Sequence, residues 1–305
     1  MFGPDSLAAL ALAASVMAPA LPARTDWVGE TVFAKQSGVA YGEVGPDGTF
    51  SPVARLRSIQ YVVVKDEKGR LQVSQDGKPV WVSKEDMVRL KDAVEHYTKM
   101  LDGDPNNDTW YAFRGWARHK AGQTAEGLKD YAEAIRLKPT AAPWYSNRGL
   151  IHIEAKQVDD AIADFSSAID LLPSEIPYRN RAMAYSRKKD WAKAAEDYEK
   201  SVEINPDSAV GLNGLAWLLS TAPDDKVRDG KRALEAAKKA CELTDHKNGG
   251  HLDTLAAAYA EVGEFARAVE WQEKALKAGD IPIKDLDAAR QRLELYKAKK
   301  PYRGE

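Results

Sequence analysis

Residues 145–173 read YSNRGLIHIEAKQVDDAIADFSSAIDLLP, and the same phrase stands on either side of them. Residues 111–139 read YAFRGWARHKAGQTAEGLKDYAEAIRLKP, and residues 178–206 read YRNRAMAYSRKKDWAKAAEDYEKSVEINP. Tyr131, Ala134 and Pro139 recur as Phe165, Ala168 and Pro173, then as Tyr198, Ser201 and Pro206. Arg114-Gly115, Arg148-Gly149 and Arg181-Ala182 recur in step with them. The step is 34 residues and then 33, which is the period of helix–turn–helix repeats. Each proline stops the second helix of its pair, because proline has no N–H and its ring clashes with the preceding turn. Gly122-Gln123, Lys156-Gln157 and Lys189-Asp190 join the two helices of each pair. A stack of such pairs is a surface for holding other proteins, which disfavours most enzymatic readings.

The pattern extends in both directions. The spacing predicts pairs over 108–121 with 124–137, 142–155 with 158–171, and 175–188 with 191–204. A fourth pair is predicted over 209–221 and 230–243, with Ala222-Pro223-Asp224-Asp225 inserted, and a fifth over 252–262 and 265–278. Residues 84–107 supply a second helix without a first, with Ala93, Tyr97 and Met100 on one face, and read as a capping half-repeat. Ser83-Lys84-Glu85-Asp86 has the capping serine and acidic first turn of a helix start. Residues 280–305 read as a closing helix over 283–298 and a solvated tail holding Lys297, Lys299, Lys300 and Arg303.

Upstream the periodicity falls to two. Short runs at 31–33, 39–41, 60–64, 71–73 and 80–82 alternate with turns at Pro46-Asp47-Gly48, Glu67-Lys68-Gly69 and Gln75-Asp76-Gly77. Glycine in such turns takes positive φ at no steric cost, so these are hairpin signals. Residues 24–83 are therefore expected to form a small barrel of five strands, closure removing its exposed edges. Before it, Leu7 to Met17 is apolar and is followed by Ala18 and Ala20, with Ala23 as a second small site. Residues 1–23 thus read as an export signal, though Asp5 stands where a basic residue is usual. The run is too short to span a bilayer as a helix, so an exported protein without a transmembrane span is expected, periplasmic or secreted.

The bulk numbers fit a folded chain. Of 305 residues, 30% are charged and 44% hydrophobic, and the formal net charge is −2. A generic nucleic-acid binder would carry a basic excess. The single cysteine, Cys241, cannot form an internal disulfide and reads as a small buried hydrophobe.

The repeats resemble the tetratricopeptide repeat family. They carry its early aromatic (Tyr111, Tyr145, Tyr178) and its small residue at the helix crossing (Gly115, Gly149, Ala182, Ala216, Ala256). They carry its second-helix alanine at Ala161, Ala194, Ala233 and Ala268, with Gly127 in its place once. The resemblance covers about two-thirds of the chain and implies a mainly α fold, a right-handed superhelix of helix pairs behind a small β-barrel. Val80-Trp81-Val82-Ser83, followed by Met87-Val88, is similar to the closing strand of bacterial Src-homology-3-like barrels, with Pro79 and Val80 where that family often has glycine. That likeness implies peptide or cell-wall glycan binding, with Tyr41, Tyr61 and Trp81 as an aromatic groove. The competing reading puts these rings in the barrel core.

One feature departs from the tetratricopeptide pattern. Arg114, Arg148 and Arg181 replace the usual leucine, and Asp130, Asp164 and Asp197 follow sixteen residues later. The fourth and fifth repeats have Leu215 and Leu255, with Ala236 and Trp271 in place of the acid. Arg and Asp come and go together, so each Arg is expected to hold the Asp of its own repeat.

In this family the first helices line a concave groove. The resemblance then gives a groove stripe of Trp116, Leu150, Met183, Trp217 and Ala257. Asn147, Asn180 and Asn213 lie beside it to bond a partner's backbone, and Arg179 and Arg187 to attract an acidic residue. Trp116 and Trp217 suit groove or core equally, while Leu150 and Met183 suit the core better. Asn147 and Asn180 also fit the family consensus as structural residues. Ala112 and Trp116 stand where the chaperone-tail clamp needs Lys and Asn, so that activity is not expected.

His119 with His152, and His246 with His251, lack a third ligand at helical spacing, so no metal site and no cofactor are expected. No His-Glu-x-x-His, P-loop or Gly-x-Ser-x-Gly pattern occurs. Gly249-Gly250 reads as a helix break. The expectation is a non-enzymatic adaptor that holds a protein partner's peptide segment in the groove. The alternative is a cell-envelope protein that binds wall material through the barrel.

Overall fold

The computed structural model describes residues 27–36, 39–44, 50–55, 60–75 and 78–304. The export-signal segment and the turns at 46–48 and 76–77 lie outside them. The chain forms two compact units that divide between Ala93 and Val94.

The first unit is an antiparallel sheet. Its strands are β1 (Thr31–Ala34), β2 (Ala40–Val44), β3 (Phe50–Arg55), β4 (Gln60–Glu67), β5 (Arg70–Gln75), β6 (Lys78–Ser83) and β7 (Met87–Arg89). They lie in the order β3-β2-β6-β5-β4-β1-β7, so among the described residues seven strands take the place of the five expected. Among the described residues no pairing joins β3 to β7. Alternation puts Tyr61, Val63, Leu71, Val73 and Val82 on the buried face, where Val32 and Met87 join them. Pro52 sits in β3, an end strand, where proline is tolerated. Ser83 caps a single 3-10 turn, Lys84–Asp86, and not the helix it announces. Met87 and Val88 then pair with Ala34 and Phe33, which delays the helix to Leu90.

The second unit is helical. Its helices are α1 (Leu90–Gly103), α2 (Asp108–Lys120), α3 (Thr124–Leu137), α4 (Ala142–Glu154), α5 (Val158–Leu171), α6 (Glu175–Arg187), α7 (Trp191–Ile204), α8 (Ala209–Thr221), α9 (Gly230–Glu242), α10 (Gly249–Glu261), α11 (Phe265–Ala278) and α12 (Ile283–Lys297). Five antiparallel pairs, α2/α3 to α10/α11, stack into a superhelix that α12 closes. Tyr131 and Phe165 are fully buried where the pairs cross, each contributing roughly 2–3 kcal/mol. At the first crossing a Cβ on Gly127 would stand 2.6 Å from the Gly115 carbonyl, so α2 and α3 approach backbone to backbone. The turns inside the hairpins share one closure. Gly122, Lys156, Lys189 and Gly263 take left-handed φ of 62° to 84°, and the next residue's N–H reaches back to the first helix.

The fourth hairpin lacks this closure. Ala222 to Asp229 intervene, and only Leu218 and Leu219 among the last four carbonyls of α8 are met by that loop, from Ala222 and Asp229. The Gly249-Gly250 pair opens α10, with Asn248 as its cap. The Asp280 carboxylate accepts from the Gly249 N–H at 2.9 Å, in a space that a Cβ would fill.

Candidate functional site

The Arg–Asp beat is a set of intra-repeat pairs. Arg114 donates through Nε and Nη2 to Asp130 at 2.9 and 2.8 Å, Arg148 to Asp164 at 2.8 and 2.6 Å, and Arg181 to Asp197 at 2.7 and 2.8 Å. The three carboxylates are nearly buried. The hydrogen bonds to Asp164 and Asp197 hold the protons of Arg148 and Arg181 more firmly than an isolated guanidinium would. The tyrosine that opens each repeat is part of the same arrangement, which sequence reading missed. The Arg114, Arg148 and Arg181 guanidiniums lie 5.4, 5.9 and 5.6 Å from the Tyr111, Tyr145 and Tyr178 rings. Arg114 and Arg181 also reach back to Thr98 and Ser166 of the preceding second helix. The i,i+3 spacing of Tyr and Arg on one helix was the available signal.

The predicted groove divides. Trp116 is half-buried beside the Ala112–Tyr131–Ile151 cluster, with the Lys120 ammonium 4.7 Å from its ring. Leu150 and Met183 are half-buried against Phe165 and Ile153. Asn147 is half-buried. Asn180 is only 6% exposed, so it packs inside the array and does not face a partner; α6 turns it inward with Pro177 and Ala184. Ala257 is buried, so the stripe ends before α10. Arg179 is paired with Glu175 at 2.9 Å.

Met183, Arg187, Asn213 and Trp217 are brought together. They line a cavity of roughly 520 Å³ with Trp191, Tyr198 and Leu218. Gly214 has no side chain there because a Cβ would collide with the Tyr198 ring. Burial pushes the Tyr198 hydroxyl up to about 12. Arg187, which lines the cavity, donates from its guanidinium to the Ile153 carbonyl at 2.8 Å. Asn213 Oδ1 is buried there with no hydrogen-bond partner.

The expected solvated tail is instead docked. Lys297 pairs with Glu294, and Tyr302 and Gly304 form part of the cavity wall. Arg292 of α12 explains the placement. It is buried in a bidentate pair with Asp253 at 3.0 and 2.8 Å, and its guanidinium lies 5.2 Å from the Trp217 ring and 5.5 Å from Tyr302. Reading α12 as a polar cap missed this pair, because Asp253 lies 39 residues away.

The sheet unit does not assemble the proposed aromatic groove. Tyr61 is 6% exposed in the core, and Trp81 pairs with Gln72 on the opposite face of the sheet. Tyr41 stands opposite Val82 in register; its side chain lies outside the described residues.

The histidines are occupied singly. His119 meets Glu154 at 2.8 Å, His152 meets Gln157 at 2.8 Å, and His246 stacks on Trp271. Burial lowers the basicity of His251, which contacts Thr244. Among the described residues no three metal-ligating side chains converge. Cys241 is buried, and burial pushes its thiol up to about 12, away from reactivity. No helix among the described residues is long and apolar enough to cross a membrane.

Hairpins with a small residue at each crossing, stacked in register and closed by a terminal helix, define a helical-repeat superhelix. Its repeats are tetratricopeptide repeats: models of that family match residues 177–208, which span α6 and α7, and residues 250–278, which span α10 and α11. Several solved structures are similar. One is the Cut9–Hcn1 hetero-tetramer of the APC/C, with a TM-score of 0.57 at 14% identity over 68% of this chain. Another is a tetratricopeptide repeat protein from Parabacteroides merdae, with a TM-score of 0.55 at 19% identity over 71% of this chain and 82% of that one. A third is PilW, a type IV pilus biogenesis factor, with a TM-score of 0.56 at 16% identity over 66% of this chain and 90% of that one. These likenesses are of fold. The chain spans 40% of the length of the first. Among curated proteins it has no match in sequence.

Proposed function

We propose that the chain is a non-enzymatic scaffold that holds a peptide segment of another protein in its concave groove, centred on the cavity between α6 and α8. The observation that carries this reading is the cavity of roughly 520 Å³ lined by Met183, Tyr198, Asn213 and Trp217. An apolar anchor from the partner would enter beside Met183 and Trp217, and a backbone N–H would meet Asn213. Arg187 at the rim would favour an acidic residue nearby. Trp116 and Leu150 extend the half-buried stripe toward α2 and serve as secondary contacts. The apolar run from Leu7 to Met17, with Ala18 and Ala20 after it, supports an exported protein that works outside the cytoplasm. In this reading the sheet unit, which resembles a Src-homology-3-like barrel at Val80–Ser83, carries no assigned ligand.

Peptides selected from a displayed random library against the full chain test the proposal. Selected peptides should lose at least about tenfold in affinity to Trp217→Ala and to Asn213→Leu, in line with loss of an aromatic anchor or a buried hydrogen bond. Trp116→Ala should cost less. Undiminished binding to both cavity variants, with native circular dichroism, rules the cavity out as the site.

A further inference from the structure

The last described residues of the chain lie against the cavity and form part of its wall. After α12 the chain turns at Lys299, whose φ is 55°, and the Lys300 N–H returns to the Leu295 carbonyl at 2.9 Å. This is the closure used inside the hairpins, and Pro301 follows it. The three residues beyond then make contacts of different kinds. The Tyr302 ring lies 5.8 Å from that of Trp217. Arg303 pairs with Glu261 at 2.6 Å and reaches the Ser220 carbonyl. The Gly304 N–H donates to the Thr221 carbonyl at 2.7 Å. Ser220 and Thr221 hold the two carbonyls at the end of α8 that the inserted loop leaves unmet. The strap therefore occupies acceptor groups that the irregular fourth hairpin creates, and lies against the cavity that holds the Asn213 acceptor.

We propose that this edge of the groove is a receptor for a peptide in which an aromatic residue is followed by a basic one, and that Tyr302–Gly304 is its intrachain occupant, displaced when such a segment of a partner protein binds. The inference rests on the groove reading above and adds the sequence class of the ligand and its control. Trp217 and the Arg292 guanidinium form the aromatic seat, Glu261 the basic seat, and the Thr221 carbonyl the backbone acceptor. The occupant stays within reach of solvent. All four residues 301–304 keep partial solvent exposure, and the Arg303 side chain is 36% exposed. Such a strap competes as a tethered ligand, whose effective concentration is in the millimolar range for a short connection.

The probe is a labelled peptide of sequence KKPYRGE, blocked at both ends, titrated against the full chain by fluorescence anisotropy. A full-length variant with Tyr302→Ser and Arg303→Glu frees the site and should bind the probe at least about tenfold tighter than the unaltered chain, the tethered competitor being removed. The same peptide carrying Glu in place of its arginine should bind the freed chain at least about tenfold weaker. Gly304→Pro, which removes only the backbone donor, provides a second release variant should the first lose its native circular dichroism. Equal affinity for the freed and unaltered chains, no binding by a folded release variant, or dimerisation through exchanged straps without probe binding would each overturn the proposal. Library peptides that depend on Trp217 and Asn213 but ignore strap release would overturn the strap inference alone. A probe that binds while those cavity variants change nothing for library peptides would overturn the wider reading alone.

Discussion

Replacing Arg148 with leucine tests how the first three repeats are stitched. The substitution removes hydrogen bonds of 2.8 and 2.6 Å and leaves the Asp164 carboxylate, whose side chain is 7% exposed, without its partner. His152 Nε2 lies 3.7 Å from the same carboxylate. Breaking a fully buried pair costs about 3–5 kcal/mol, mostly for the stranded charge. The Arg148 side chain is 24% exposed, so water partly screens the pair and about 2–3 kcal/mol is expected. Replacing Asp164 with alanine as well removes the stranded charge and leaves a family-like leucine at the helix contact. The double variant should then lie within about 1 kcal/mol of the unaltered chain, with a coupling energy near 2 kcal/mol. Urea unfolding followed by circular dichroism gives the three differences. Hydrogen exchange at α4 and α5 amides checks that the loss is local, since repeat arrays need not unfold in one step. A double variant no more stable than Arg148→Leu, or a coupling below about 0.5 kcal/mol, would refute the stitching argument.

Gly127→Ala should destabilise the first hairpin by about 1–2 kcal/mol in the same assay, although alanine stands at the equivalent place in the other repeats. The new Cβ meets the Gly115 carbonyl at 2.6 Å, a backbone atom that cannot swing aside, and overpacking outweighs the gain in helix propensity. A neutral result would show that α2 and α3 can separate freely. His251 carries a pH signature. Burial lowers its pKa from 6.5, so the unfolded chain binds the proton more readily than the folded one. Its neutral form contributes stability that is fully present above pH 6.5 and declines as the pH falls from there toward the lowered folded value. His251→Gln should flatten this decline in a series of melting temperatures; an unchanged slope would remove His251 as its source.

The hairpins and the Arg–Asp pairs were legible because both are set by short-range rules repeated several times. Sixteen residues separate Arg and Asp in each of three repeats, and the geometry of one helical hairpin places that interval face to face. Asn180 shows the limit of such periodic reasoning. Its spacing suits a groove position and a structural one alike, and the structure leaves it only 6% exposed. The sheet was read less well at its ends. Pro52 hides β3 as a strand, and β7 has only three residues behind a polar turn, so its pairing with Ala34 and Phe33 is decided by tertiary contact. The Ser83 signal is a genuine cap, but of a 3-10 turn. The strap was illegible for a different reason. Pro301 to Gly304 have no period, and Arg303 meets its furthest partner 83 residues back along the chain.

That separation changes how the array holds together. In a plain stack of helix pairs each unit touches its neighbours, and the whole behaves as a row that can open from either end. The contacts from Tyr302, Arg303 and Gly304 to Trp217, Ser220 and Thr221 tie the last described residues to the fourth hairpin, and Arg292 on Asp253 ties α12 to the fifth. From α8 onward the row is thereby closed into a loop, and no helix in it can leave without breaking contacts made by another. The three stitched repeats before it remain a linear run. While the strap is docked, it adds a long-range tie across the segment from α8 to α12.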